Sequence, residues 1–121
     1  MISRKAFIDK VNQEGFSFNI QIPWWWYKDF KLLVWKKRLS EEQLYQLFLS
    51  LCREIEGRRM QALEDERKYQ TGFYVGACNG REFRFEFVFK KNQVLRVYNL
   101  FETVNGRKKL TLMDLLDYIM D

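Results

Sequence analysis

The chain has 121 residues, of which 47% are apolar, 17% aromatic and 31% charged, with a formal net charge of +5. Residues 1–121 are therefore expected to form one compact domain with apolar mass enough for a core, which excludes disorder and low complexity. The lack of histidine removes the usual neutral-pH base, no run of 18 apolar residues offers a membrane span, and the N-terminal MISRKAFIDKVNQEG has no apolar signal core, so a cytoplasmic location is expected.

Residues 3–13 read as a short helix. Ser3 caps it, Ala6, Phe7 and Val11 fall at helical spacing, and Gly15 ends it. FSFNIQI then alternates, with Phe16, Phe18, Ile20 and Ile22 on one side and Ser17, Asn19 and Gln21 on the other, as a strand with one wet face does. Pro23 is the only proline; it lacks an N–H, so the strand is an edge strand or stops there.

The next stretch, PWWWYKDFKLLVWKKR over 23–38, holds all four tryptophans and five basic residues. Tyr27-Lys28-Asp29 reads as a turn and Phe30 to Trp35 as a second strand. Together they make a hairpin with tryptophans at its tip, with a helical turn over 24–29 as the alternative. Residues 1–39 carry eight Lys/Arg against three Asp/Glu, so the chain's basic excess sits here. Trp24, Trp25, Trp26, Tyr27, Lys28, Lys31, Trp35, Lys36, Lys37 and Arg38 are the candidate binding residues. Aromatic rings beside cations stack on bases and neutralise phosphates. The same residue types also anchor protein interfaces.

Leu39-Ser40-Glu41-Glu42-Gln43 carries a capping box, Ser40 with Gln43. Leu44, Leu47, Phe48, Leu51, Cys52 and Ile55 follow as the cleanest apolar stripe in the chain, the main helix, which Gly57 interrupts. The segment RRMQALEDERKYQ keeps helix formers and continues outward into solvent. Residues 72–103 read as a three-stranded meander. GFYVGAC leads to Asn79-Gly80, a strong hairpin signal, and REFRFEFVFKK places Phe83, Phe85, Phe87 and Phe89 on one face. Asn92-Gln93 turns the chain into VLRVYNLFETV. Asn105-Gly106 turns it again, and Thr111 with Asp114 caps a last helix bearing Leu112, Leu115, Leu116 and Ile119.

The expected class is thus α+β, an antiparallel sheet made of an N-terminal hairpin plus the meander, with helices on one face and the order α-β-β-α-β-β-β-α. The four-phenylalanine face against the Leu44–Ile55 stripe is the expected core.

Chemistry is thinly represented. Cys52 and Cys78 are expected as free, buried thiols; neither a metal site nor a phosphate loop nor a serine-nucleophile motif is present, and no cofactor is expected. Glu64, Asp65 and Glu66 read as a solvated helix face, and Glu82 and Glu86 as partners of Arg84 or Arg96. The leading reading is a non-catalytic binding module whose partner is nucleic acid or an acidic protein surface, not a membrane. A protein-binding regulator or inhibitor is the alternative. A third reading is a histidine-free RNA-cleaving domain of the kind found among small toxins, with Arg84, Glu86, Arg96 and Tyr98 on one sheet face.

Overall fold

The computed structural model describes residues 1–58, 69–90 and 93–108. Of the expected helical continuation RRMQALEDERKYQ, Arg58 is helical but Tyr69 and Gln70 are strand, a correction; residues 59–68, with the Glu64–Glu66 cluster, lie outside the described residues, as do Asn92 and the expected last helix.

Helix α1 spans Arg4–Asn12, strand β1 Asn19–Gln21, helix α2 Trp24–Trp35 and helix α3 Glu41–Arg58; β2 spans Tyr69–Cys78, β3 Arg81–Lys90, β4 Val94–Val104 and β5 Arg107–Lys108. The class is α+β, but the sheet is mixed. Its order is β1-β4-β3-β2, with β1 parallel to β4 and the other pairs antiparallel. Strand β5 pairs the far end of β4 beyond the Asn105-Gly106 turn, where both residues have positive φ.

The expected N-terminal hairpin is absent, because residues 24–35 are helix. The buried side chains of that stretch are Tyr27, Phe30 and Leu33, a step of three that suits a helix and not the two-residue step of a strand. Pro23, at φ −55°, stands just before the helix, where a missing N–H costs nothing. Strand β1 therefore ends before Pro23, and its alternation survives: Phe18, Ile20 and Ile22 are buried while Ser17, Asn19 and Gln21 are exposed. The chain leaves β1 through α2 and α3 and enters β2; two antiparallel reversals, β2 to β3 and β3 to β4, then bring β4 alongside β1 in parallel.

The cap and hairpin signals at Ser3, Ser40 and Asn79-Gly80 hold, whereas the break expected at Gly57 does not. Ser3 Oγ accepts from the Ala6 N–H at 3.1 Å. The Ser40 N–H donates to Gln43 Oε1 at 2.8 Å, and the Gln43 N–H donates to Ser40 Oγ at 3.1 Å, a closed capping box. Gly57 does not interrupt α3, which runs through it to Arg58. Asn79 and Gly80, at φ 55° and 72°, make the left-handed turn that a two-residue hairpin needs.

The core lies between the helices and one face of the sheet. Phe83, Phe85, Phe87 and Phe89 are all buried, with Phe85, Phe87 and Phe89 opposite Leu100, Val97 and Leu95 of β4 and Phe83 opposite Glu102. The Phe48 ring of α3 meets Phe85 edge-on at 5.7 Å, and Phe30 of α2 meets Phe48 at 6.0 Å. Phe7 of α1 closes the cluster against Phe30, Tyr45 and Phe48. The register of β3 with β4 slips at Glu86/Phe87, which leaves Tyr98 without an opposite residue.

Candidate functional site

Helix α2 turns about 100° per residue, so its 12 residues divide into two faces. Tyr27, Phe30 and Leu33 point into the core, where the Tyr27 hydroxyl donates to the Ile2 carbonyl at 2.8 Å. Trp24, Lys28, Lys31 and Trp35 lie at steps of four, three and four. These positions share an arc of about 60° on the outer face and span about 16 Å along the axis. All four side chains are exposed; Trp24 is 60% and Trp35 69% accessible. Lys28 Nζ sits 4.8 Å over the Trp24 ring, and Lys31 Nζ sits 5.6 Å from the Tyr27 ring. Cations in such positions are held beside the aromatic surface with their charge still turned to solvent.

The remaining candidates separate. Trp25 is exposed at the helix start, its ring edge-on to Trp24 at 5.8 Å. Trp26 is half-buried and meets Tyr98 of β4 at 6.5 Å, a structural role. Lys36 ends α2, and Lys37 is exposed at φ 57° in the turn that follows. Arg38 is drawn away from the outer face: its Nε lies 3.7 Å from the buried Glu102 carboxylate. Of the ten residues, then, Trp24, Lys28, Lys31 and Trp35 form one continuous surface, with Trp25 at its end and Lys37 beyond it.

Sequence reasoning missed the neighbours of Trp24 and Trp25. Arg4, Ile8, Gln21 and Arg96 join the two rings around an open hollow of about 340 Å³. Arg4 Nη1 donates to the Ile22 carbonyl at 3.0 Å, which fixes that cation on the rim. Arg96 arrives because β4 pairs β1 in parallel, Gln21 opposite Arg96. No local pattern carries that information, since the pairing joins segments far apart in the chain.

The other expected cluster divides as well. Arg84 Nη2 donates to Glu86 Oε2 at 3.2 Å on the sheet's open face, and Asn99 Nδ2 donates to Glu86 Oε1 at 2.9 Å. The Arg84 guanidinium lies 4.1 Å over the Phe73 ring. Arg96 stands opposite Val88, about 13 Å along the strand from Arg84, and Tyr98 leans on Trp26. Cys52 is buried and Cys78 only half-buried, which corrects the expectation that both are enclosed; both are free. Burial pushes the Cys52 thiol up to about 12.

Among the described residues, no group of three or more His, Cys, Asp or Glu is placed to hold a metal ion, and no helix is long and apolar enough to cross a membrane. No protein-family model, curated protein or solved structure matches the chain.

Proposed function

We propose that the chain is a non-catalytic, cytoplasmic binding module that contacts single-stranded nucleic acid through the outer face of α2. The observation that carries this reading is the exposed stripe Trp24–Lys28–Lys31–Trp35, two ring surfaces about 16 Å apart with two cations between them. Bases stack on such rings whatever their sequence, each worth about 1–3 kcal/mol, and the cations meet the backbone between them. The span suits about five nucleotides at the 3.4 Å rise of a stacked strand. The basic excess of the N-terminal third supplies the long-range attraction. Titration with short single-stranded oligonucleotides, read by tryptophan fluorescence at low and moderate salt, tests it; no binding at low salt removes nucleic acid as the partner.

A second reading rests on the hollow at the helix start. Trp24, Trp25 and Ile8 present apolar surface there with Arg4 and Arg96 at its edge, a shape that takes an acidic or aromatic side chain of a protein partner. Such a contact depends on few ions and responds weakly to salt, whereas nucleic-acid binding falls steeply.

A further inference from the structure

We propose that β2 is the seam of a two-fold homodimer, in which it pairs antiparallel with β2 of a second copy and Phe73 lies opposite Phe73 of that copy. Strand β2 runs ten residues, Tyr69–Cys78, along the outer edge of the sheet. Among the described residues it pairs only with β3. An edge strand turns every second N–H and C=O away from its neighbour, so about five donors and five acceptors face outward. Residues flanking a two-residue turn bond one another, so the ladder counted back from Cys78 and Arg81 leaves Tyr69, Thr71, Phe73, Val75 and Ala77 with outward backbone groups.

Proteins guard such edges with lysine, proline, bulges or short strands. Strand β2 has none of these. Its register with β3 is unbroken over its whole length, and no charged or proline residue occurs from Tyr69 to Gly80. Its outer row is open to solvent, with Tyr69 at 60%, Phe73 at 52% and Val75 at 44% exposure.

The partner that fits is a second copy, because the strand is complementary to itself about Phe73. In that register Thr71 meets Val75, Tyr69 meets Ala77 and Phe73 meets Phe73 on the open face. On the helix-covered face Tyr74 falls opposite Gly72, where the chain's own Phe87 ring fills the place of the missing side chain. Like charges do not meet at the seam. Each Phe73 carries the Arg84 guanidinium over its ring, and Arg84 is itself paired with Glu86. A chain of net charge +5 opposes contact with its own kind elsewhere, and this strand is neutral. A two-fold axis through Phe73 makes the contact isologous and closed, so it stops at two chains. The seam is the opposite edge of the sheet from β1 and α2, so this inference stands apart from the nucleic-acid reading.

The test is solution mass by light scattering or sedimentation from micromolar to high-micromolar chain. The wild type is expected to reach twice the single-chain mass. Phe73→Lys and Phe73→Glu each place like charges across the axis and are expected to stay at the single-chain mass, with unchanged circular dichroism. Mixed together, the two variants are expected to recover the doubled mass, because lysine then faces glutamate. Gln46→Lys, on the exposed face of α3, is expected to dimerise like the wild type. A wild-type mass of one chain at every concentration overturns the proposal, as does a doubled mass for Phe73→Lys. A mixture that fails to associate overturns the pairing of Phe73 with itself.

Discussion

Arg38 Nε lies 3.7 Å from one carboxylate oxygen of Glu102, while Arg81 Nε lies 3.5 Å from the other. Glu102 is 5% exposed, and Arg81 Nη1 also donates to the Arg38 carbonyl at 3.2 Å. The carboxylate thus ties the turn after α2 to β3 and β4. Glu102→Gln keeps the shape and removes the charge, leaving two partly exposed guanidinium groups without their counter-ion. A loss of about 1–3 kcal/mol is expected in denaturant unfolding. An unchanged midpoint would mean that this ion pair contributes nothing measurable.

Phe85 is the centre of the ring cluster, fully buried and within 5.7–6.4 Å of Phe48, Phe30 and Tyr74. Phe85→Ala is expected to cost about 3–5 kcal/mol, the usual penalty for emptying a closed aromatic site. Phe73→Ala, on the open face of the neighbouring strand, is expected to cost about 1 kcal/mol or less in the single chain. Equal losses for the two would show that the open face is covered.

The outer face of α2 predicts a division of labour between rings and cations. Trp35→Ala is expected to weaken oligonucleotide binding by about 1–3 kcal/mol and leave its salt dependence almost unchanged. Lys28→Gln with Lys31→Gln is expected to flatten the log–log salt slope by about 1.4, at about 0.7 for each phosphate contact on a single strand. Variants that lose affinity in the same way at all salt concentrations would indicate general stickiness.

The two thiols should differ in rate. Cys52 is enclosed, and its thiol is pushed up to about 12, chiefly by burial and to a lesser degree by Glu56, with Arg53 pulling the other way. Thiolate is the reactive form, so at pH 8 Cys52 is expected to react with a thiol reagent far more slowly than the half-buried Cys78. Under denaturing conditions the rates should converge. Equal rates in the native protein would contradict the packing of α3.

Tyr27 and Tyr45 are expected to ionise later than a free tyrosine in an alkaline titration. Burial first, then the Glu41 charge, pushes Tyr27 from 10.0 to about 12. Burial, then the hydrogen bond to Glu14 Oε1 at 2.9 Å, does the same for Tyr45. A raised native pKa means that the folded state favours the protonated phenol. The associated stability is complete below pH 10 and disappears as pH rises from 10 toward 12. The tyrosinate absorbance of these two rings should therefore rise only above pH 10, together with unfolding. A single phase near 10 would place both hydroxyls in solvent.

Much of the local structure was legible from neighbouring residues. Ser3, Ser40 with Gln43, and Asn79-Gly80 act within four residues of themselves, so their hydrogen bonds and dihedral angles follow from residue type. The alternation of Phe83 to Phe89 and the stripe from Leu44 to Ile55 likewise report which side faces a core. The region 24–35 resisted because it is apolar on nearly every side: Leu32 to Trp35 fits a two-residue period as readily as a helical one. Only the burial of Tyr27, Phe30 and Leu33, with Tyr27 against Phe7 and Phe30 against Phe7, Phe48 and Phe85, selects the helix.

By itself, then, the sequence determined the α+β class, the Ser3 and Ser40 caps, the Asn79-Gly80 and Asn105-Gly106 turns, the core face of β3 and the clustering of tryptophan with positive charge, all of them properties of short segments. Tertiary structure decided that α2 is a helix, that β1 joins β4 in parallel, and which cations stay on the outer face. It withdrew Arg38 to Glu102, turned Trp26 inward to Tyr98 and brought Arg4 and Arg96 beside Trp24. The reason is distance along the chain: each of these contacts joins residues far apart in sequence, and its energy exists only once the sheet and helices have closed around the same core.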